Sequence, residues 1–160
     1  MVFMNKLNDS KLRETKKYFD KLKKKQPKQL DKVMHVIHEN VFECTNCLEC
    51  ANCCKTTGPL FTNKDIDRIS DSLKIKPSQF VEKYLKMDED DDYVLQKTPC
   101  VFLGADNYCT IYDIRPKACR EYPHTDRPKF YQILNLTLKN IEICPAAYEI
   151  VENLKKEIPL

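Results

Sequence analysis

Between Ser10 and Lys25, Leu12, Phe19 and Leu22 fall near one helical face, with Lys11, Arg13, Lys16, Lys17, Lys21, Lys23, Lys24 and Lys25 around them. That spacing predicts an amphipathic helix. Pro27 interrupts it, and the pattern resumes with Leu30, Val33, Met34, Ile37 and Val41 at i, i+3, i+4, i+7 and i+11. The two stretches together predict a helical hairpin or a bent helix ahead of residue 44. Further on, Thr62 or Asn63 is placed to cap a helix carrying Ile66, Ile69 and Leu73, with Asp65 and Asp67 near its N-terminus. Pro77-Ser78 opens another helix, with Phe80, Val81, Tyr84 and Leu85.

Residues 93–96, 100–103 and 108–112 are apolar enough for short strands, and 104–107 supplies a turn between the last two. Arg115-Pro116 is expected to start a short helix through Cys119 and Arg120 that ends before Pro123. Residues 130–138 alternate loosely and are expected to form a strand. Cys144-Pro145 opens a final helix with Ala147, Ile150, Val151 and Leu154 on one side. The pattern as a whole predicts an α+β fold, mainly helical. Residues 1–43 form an N-terminal helical extension and residues 44–160 a small domain with short strands.

Composition sharpens this picture. The 160 residues are 42% hydrophobic and 32% charged, with no Trp, and no stretch approaches the ~20 apolar residues of a transmembrane helix. The opening residues 1–9 lack a charged head followed by an apolar run, so no export signal is expected. A cytoplasmic, reducing setting follows, and nine cysteines there point to metal rather than disulfides. Two glycines leave no GxGxxG or GxxxxGK[ST] phosphate loop. The net charge of +3 is unevenly placed: residues 1–43 hold 11 Lys and Arg against 6 Asp and Glu, and the remainder is slightly acidic. The basic stretch has interspersed acids and no aromatic stacking platform, which argues against nucleic acid. It suits a solvated helix face, or a surface for a partner protein.

Five cysteines crowd into eleven residues: Cys44, Cys47, Cys50, Cys53 and Cys54. A Cys-x2-Cys step sets two sulfurs at the mouth of one turn, near enough to share a metal. Cys100, Cys109, Cys119 and Cys144 are dispersed, each in or beside a turn, strand end or helix start. A site drawing on both groups would clamp remote parts of the chain and contribute directly to folding. Eight thiols divide into two tetrahedral sites of four, which suits zinc. Cys44-x2-Cys47-x2-Cys50-x3-Cys54 also matches the bacterial ferredoxin spacing, so iron, including an iron–sulfur cluster, is open on spacing alone. Against the cluster, Cys54 is followed by Lys55 and not Pro.

These residues resemble a known family. Cys47-x2-Cys50-x2-Cys53-Cys54, Cys100-x-Phe-Leu, Cys109-x-Ile-Tyr and Arg115-Pro-x-x-Cys119-Arg120-x-Tyr-Pro123 are similar to the YkgJ-type cysteine-cluster proteins, described as a zinc- or iron-chelating CxxCxxCC domain. The resemblance covers about residues 44–150. It implies metal chelation without a settled reaction, with Cys47, Cys50, Cys53, Cys54, Cys100, Cys109, Cys119 and Cys144 as the ligands and Cys44 outside the core motif. A related cluster occurs in flagellin lysine-N-methylase, and the similarity there is confined to the cluster.

Other residues were weighed beside the cysteines. Arg115 is placed to offset thiolate charge or grip an anion, or else to pair with Asp113 or Glu121. His124, after Tyr122-Pro123, reads as a surface or capping residue ahead of a ligand. His35 and His38 form an i, i+3 pair without a third ligand and read as helix-surface residues. The acidic run 88–92 is a solvated turn, lacking the alternating ligands, glycine and closing glutamate of a calcium loop. No Ser-His-Asp or paired-carboxylate arrangement is recognisable. The expected function is therefore chelation of zinc or iron by clustered thiolates. The alternatives are an iron–sulfur redox protein, or an iron-dependent enzyme acting on a protein or peptide.

Overall fold

A computed structural model describes residues 8–160; residues 1–7, part of the stretch where no export signal is expected, lie outside the described residues. In chain order come α1 (Asp9–Lys25), α2 (Leu30–Glu43), α3 (Cys47–Cys50), α4 (Asn52–Thr56), β1 (Leu60–Phe61), α5 (Asn63–Ser72) and α6 (Pro77–Tyr84). They are followed by β2 (Leu85–Met87), β3 (Tyr93–Leu95), α7 (Lys117–Glu121), α8 (Leu134–Ile143) and α9 (Pro145–Glu157). Single 3-10 turns occupy Tyr112–Ile114 and Phe130–Ile133. The fold is α+β and mainly helical. It divides into two compact units, one of residues up to 45 together with 123–160, the other of residues 46–122. The first two helices thus share a unit with the last two. No described helix is long and apolar enough to cross a membrane.

In the first unit α9 packs against both α2 and α8, and α1 packs against α8. The apolar stripes explain it. Phe19 and Leu22 of α1, Met34 and Ile37 of α2, and Ile150, Val151 and Leu154 of α9 are buried in one core. Tyr18 carries a polar group into this core and satisfies it: its hydroxyl donates to the Ile158 carbonyl at 2.8 Å. Burial pushes its phenol up to about 12, so it stays neutral. Residues 130–138, expected as a strand, instead form the 3-10 turn and the start of α8. Phe130, Leu134, Thr137 and Ile141 are the buried positions, a spacing of three to four residues that matches a helix face packed on its neighbours.

The second unit has a smaller core, in which Phe61, Ile69, Phe80, Leu85, Leu95 and Phe102 are buried. The rings of Phe80 and Phe102 stack with centroids 6.2 Å apart. A three-stranded antiparallel sheet in the order β1-β3-β2 covers it, with Leu60 opposite Val94 and Leu85 opposite Leu95. Of the three expected strands only 93–95 forms a ladder. Residues 100–103 and 108–112 meet at one bridge, Leu103 to Cys109. They form a short hairpin rather than ladder strands: Gly104 N donates to the Tyr108 carbonyl and Thr110 N to the Phe102 carbonyl, each at 2.8 Å, while the Cys100 carbonyl is taken by a turn, accepting from Leu103 N at 3.0 Å. A Cβ at Gly104 would stand 2.6 Å from Asp106 Oδ1 and 3.2 Å from the Tyr108 carbonyl, so a side chain there would push Asp106 off Tyr108 N, which donates to it at 3.0 Å.

The core assignment of α9 has a direct check. Leu154 is 0% exposed and Leu136 is 43% exposed. Leu154→Ala should destabilise the first unit by about 2–5 kcal/mol in urea denaturation, whereas Leu136→Ala should stay within about 0.5 kcal/mol of wild type.

Candidate metal centre

The CxxCxxCC segment folds as two single-turn helices at an angle set by one residue. Asn46 caps α3, its side chain accepting from Leu48 N at 3.1 Å and donating to Glu49 at 3.0 Å. Ala51, buried at the junction, takes φ 51°, a left-handed conformation costing roughly 1–2 kcal/mol for an alanine. Its N–H closes α3 on the Cys47 carbonyl at 3.0 Å. The chain therefore turns between Cys50 and Cys53, and α4 carries Cys53 and Cys54 on a new axis.

Three sequence-distant stretches then converge. The Cys54 carbonyl accepts from Cys100 N at 2.7 Å, tying α4 to the start of the 100–110 hairpin. Cys119 arrives on α7. Cys53, Cys54, Cys100 and Cys119 line one cavity of about 50 Å³, with Pro59 and Ala118 adding an apolar wall. Cys109, half-buried, packs with Cys100 against the aromatic core. Cys50 is half-buried and Cys47 exposed as a residue. No three sulfurs of this unit, among the described residues, lie all within 4.8 Å of one another. Four sulfurs at about 2.3 Å from one ion would be about 3.8 Å apart, so the wall is somewhat wider than a closed tetrahedral site. The donors fit zinc or iron in kind: soft thiol sulfurs in an apolar, partly enclosed pocket.

The thiols differ in acidity by environment. Burial pushes the Cys119 thiol up to about 12, with Cys54, Cys100 and Cys109 adding to the rise. Burial likewise raises Cys47, Cys100 and Cys109. Cys54 goes the other way, to about 7, because the Cys53 thiol donates to it; burial opposes this, and its own backbone N–H and Lys55 assist. Arg115 favours the charged form at Cys47, Cys109 and Cys119. Its guanidinium lies 3.9 Å from the Tyr112 ring centre and donates to the Tyr112 carbonyl at 2.6 Å. Among the ion pairs of the described residues, Arg115 is paired with neither Asp113 nor Glu121; Glu121 faces Lys117 instead.

What holds Arg115 and Cys119 in place is a pair of residues the sequence does not advertise as part of the site. Asp65, only 1% exposed, sits at the third position of α5 and forms a capping box with Thr62. Its other oxygen accepts from Arg68 at 2.7 Å and from Lys117 N at 3.1 Å. Arg68 in turn donates to the carbonyls of Ile114 and Arg115 at 3.2 and 3.0 Å. Burial works to raise the Asp65 pKa, but hydrogen bonds from Thr62, Arg68 and Lys117 N outweigh it and hold the carboxyl below the usual range. Thr62-x-x-Asp65 was visible as a helix start; that its carboxylate reaches residue 117 was not.

Cys44 and Cys144 belong to the other compact unit. Cys44 ends α2, its N–H donating to the Val41 carbonyl at 3.2 Å. Cys144 caps α9, its sulfur accepting from Ala147 N at 3.4 Å. His124 is half-buried with φ 66°, and His35 and His38 lie on α2.

Comparison with known proteins agrees with the cysteine pattern. The model of the family "CxxCxxCC: Putative zinc- or iron-chelating domain" matches residues 43–145, a span that holds all nine cysteines. No curated protein and no solved structure matches the chain.

Asp65 makes an acid-stability prediction with a definite sign. Its folded pKa lies below the unfolded value of about 3.9, so its contribution is present above that value and lost as pH falls through the folded one. Asp65→Asn should cost on the order of 3 kcal/mol near neutral pH, because Arg68 loses its charged partner. The deficit relative to wild type should shrink in acid, as followed by urea midpoints from pH 7 to pH 3.

Proposed function

Because the chain belongs to the zinc- or iron-chelating CxxCxxCC family, we propose that it is a cytoplasmic protein whose clustered cysteine thiolates hold zinc or iron. The observation that carries this reading is the convergence of Cys53, Cys54, Cys100 and Cys119, from three separate stretches, on one small cavity. At about 50 Å³ that cavity is far below the roughly 300 Å³ at which small-molecule pockets begin. It has room for an ion and not for an organic substrate. The proposed ligands are Cys47, Cys50, Cys53, Cys54, Cys100, Cys109 and Cys119, with Cys144 added by the cysteine pattern.

A bound zinc would supply cross-linking of the fold, and bound iron would add one-electron chemistry. The chain's own part is to present the sulfurs and to soften the charge they acquire. Four thiolates around a divalent ion leave a net charge near −2, and Arg115 stands where it opposes that charge. Asp65 and Arg68 hold the 114–119 stretch that carries both Arg115 and Cys119. The lysine-rich outer face of α1 is the surface we assign to a protein partner.

An iron–sulfur redox role is the second reading, supported by the spacing Cys44-x2-Cys47-x2-Cys50-x3-Cys54. Anaerobic purification without added metal, followed by zinc, iron and acid-labile sulfide analysis with a visible spectrum, separates the two. About two zinc per chain without colour is expected from eight thiolates. Iron with sulfide and absorbance near roughly 400 nm establishes the cluster reading instead, and iron without sulfide points to an iron-dependent enzyme. Cys54→Ser should lose bound metal, and full retention of metal by that variant would overturn the ligand set. A strong chelator should lower the melting temperature of the loaded protein.

A further inference from the structure

The i, i+3 histidines of α2 lack a third ligand in sequence, and the fold resolves that deficit by separating them. His38 is taken up structurally: its Nδ1 bonds Thr125 Oγ1 at 2.8 Å, and Thr125 is completely buried. Burial lowers the His38 pKa, consistent with a neutral ring at this contact. His35, one turn earlier on a more exposed face, meets Asp126 instead, Nδ1 to Oδ1 at 3.0 Å. Glu39 follows His35 at i+4 and so lies over the same stripe of the helix. One ligand atom each from His35, Glu39 and Asp126 lies within 4.8 Å of the other two.

We propose that His35, Glu39 and Asp126 form a second metal site, solvent-facing and distinct in chemistry from the cysteine centre, for a divalent cation of the manganese or iron(II) class. One imidazole and two carboxylates are a hard-to-borderline donor set, whereas clustered thiols select soft or borderline ions. Two carboxylates and a neutral imidazole balance the charge of a divalent ion. The exposure of His35 and Asp126, 58% and 39% of their side chains, leaves coordination positions open to water, so the ion is exchangeable.

The ligands are also arranged in advance. Asp126 sits in a loop fastened to α2 on both sides. On one side Thr125 is held by His38. On the other, the Asp31 carboxylate accepts from Lys129 N at 2.6 Å and Phe130 N at 3.0 Å. The loop therefore needs little further ordering to present Asp126 to His35 and Glu39, which removes one of the costs of binding. A bound ion would take the place of the His35 Nδ1–Asp126 Oδ1 hydrogen bond. None of this depends on what the cysteines bind.

Manganese(II) is the probe of choice, because thiolates discriminate against it. The full-length protein is titrated while the electron paramagnetic resonance signal of free manganese is followed. One ion per chain is expected, with binding weakened at least roughly tenfold in Asp126→Asn, Glu39→Gln and His35→Gln, and unchanged in Glu121→Gln. Helical circular dichroism of each variant shows whether the fold is retained. Should a variant unfold, selective broadening of the His35 ring resonances of the wild-type protein by substoichiometric manganese decides the matter. No bound manganese, binding that survives all three substitutions, or broadening at His124 rather than His35 would overturn the site.

Discussion

Helices of four or five residues do not hold themselves together in water, and the cysteine-bearing unit presents five of its seven sulfurs on three of them: α3, α4 and α7. Everything about the site follows from that constraint. Each short helix has to be fixed from outside. The Asn46 cap does this for α3, the Cys100 amide for the carbonyl of Cys54, and the buried carboxylate of Asp65 for the first turn of α7. The core built around Phe61, Phe80 and Phe102 seats this scaffold. A metal held by its thiolates would complete it, because binding energy at such a site is also folding energy.

The same constraint makes sense of the acidities. Short helices packed around a small apolar cavity take most of the thiols out of water, and burial holds them protonated. Cys54 is the exception because a neighbouring thiol donates to it. Arg115 supplies the compensating positive charge, and it is held there by the carbonyl and the ring face of Tyr112. The arrangement sets soft sulfur donors around a cavity of about 50 Å³.

The two compact units carry different chemistries. Seven of the nine cysteines lie in residues 46–122, while oxygen and imidazole donors meet on α2 and the loop after residue 123. The family, named for its CxxCxxCC motif, speaks to the first. The second is built from residues that are unremarkable one at a time. His35, Glu39 and Asp126 gain meaning from the loop that Asp31 and His38 fasten in place.

Much of this was legible along the chain. The apolar stripes of α1, α2, α5, α6 and α9, the start at Thr62 and the Pro-initiated helices are local patterns with local causes, and each formed. The cysteine spacing was equally plain, because Cys-x2-Cys geometry is a property of a few consecutive residues. Long-range geometry was not legible. The 130–138 stretch alternates weakly, and packing against α9 and α1 makes it helical. Residues 100–112 have strand composition, but they pair only with each other over a single bridge, and the Cys100 amide is claimed by Cys54. Nor does sequence distance reveal that Asp65 reaches Lys117 or that Asp126 reaches His35. Short-range sterics and hydrogen bonding write helices and metal-binding turns into the sequence; which remote residues meet is decided by how the whole chain buries its apolar surface.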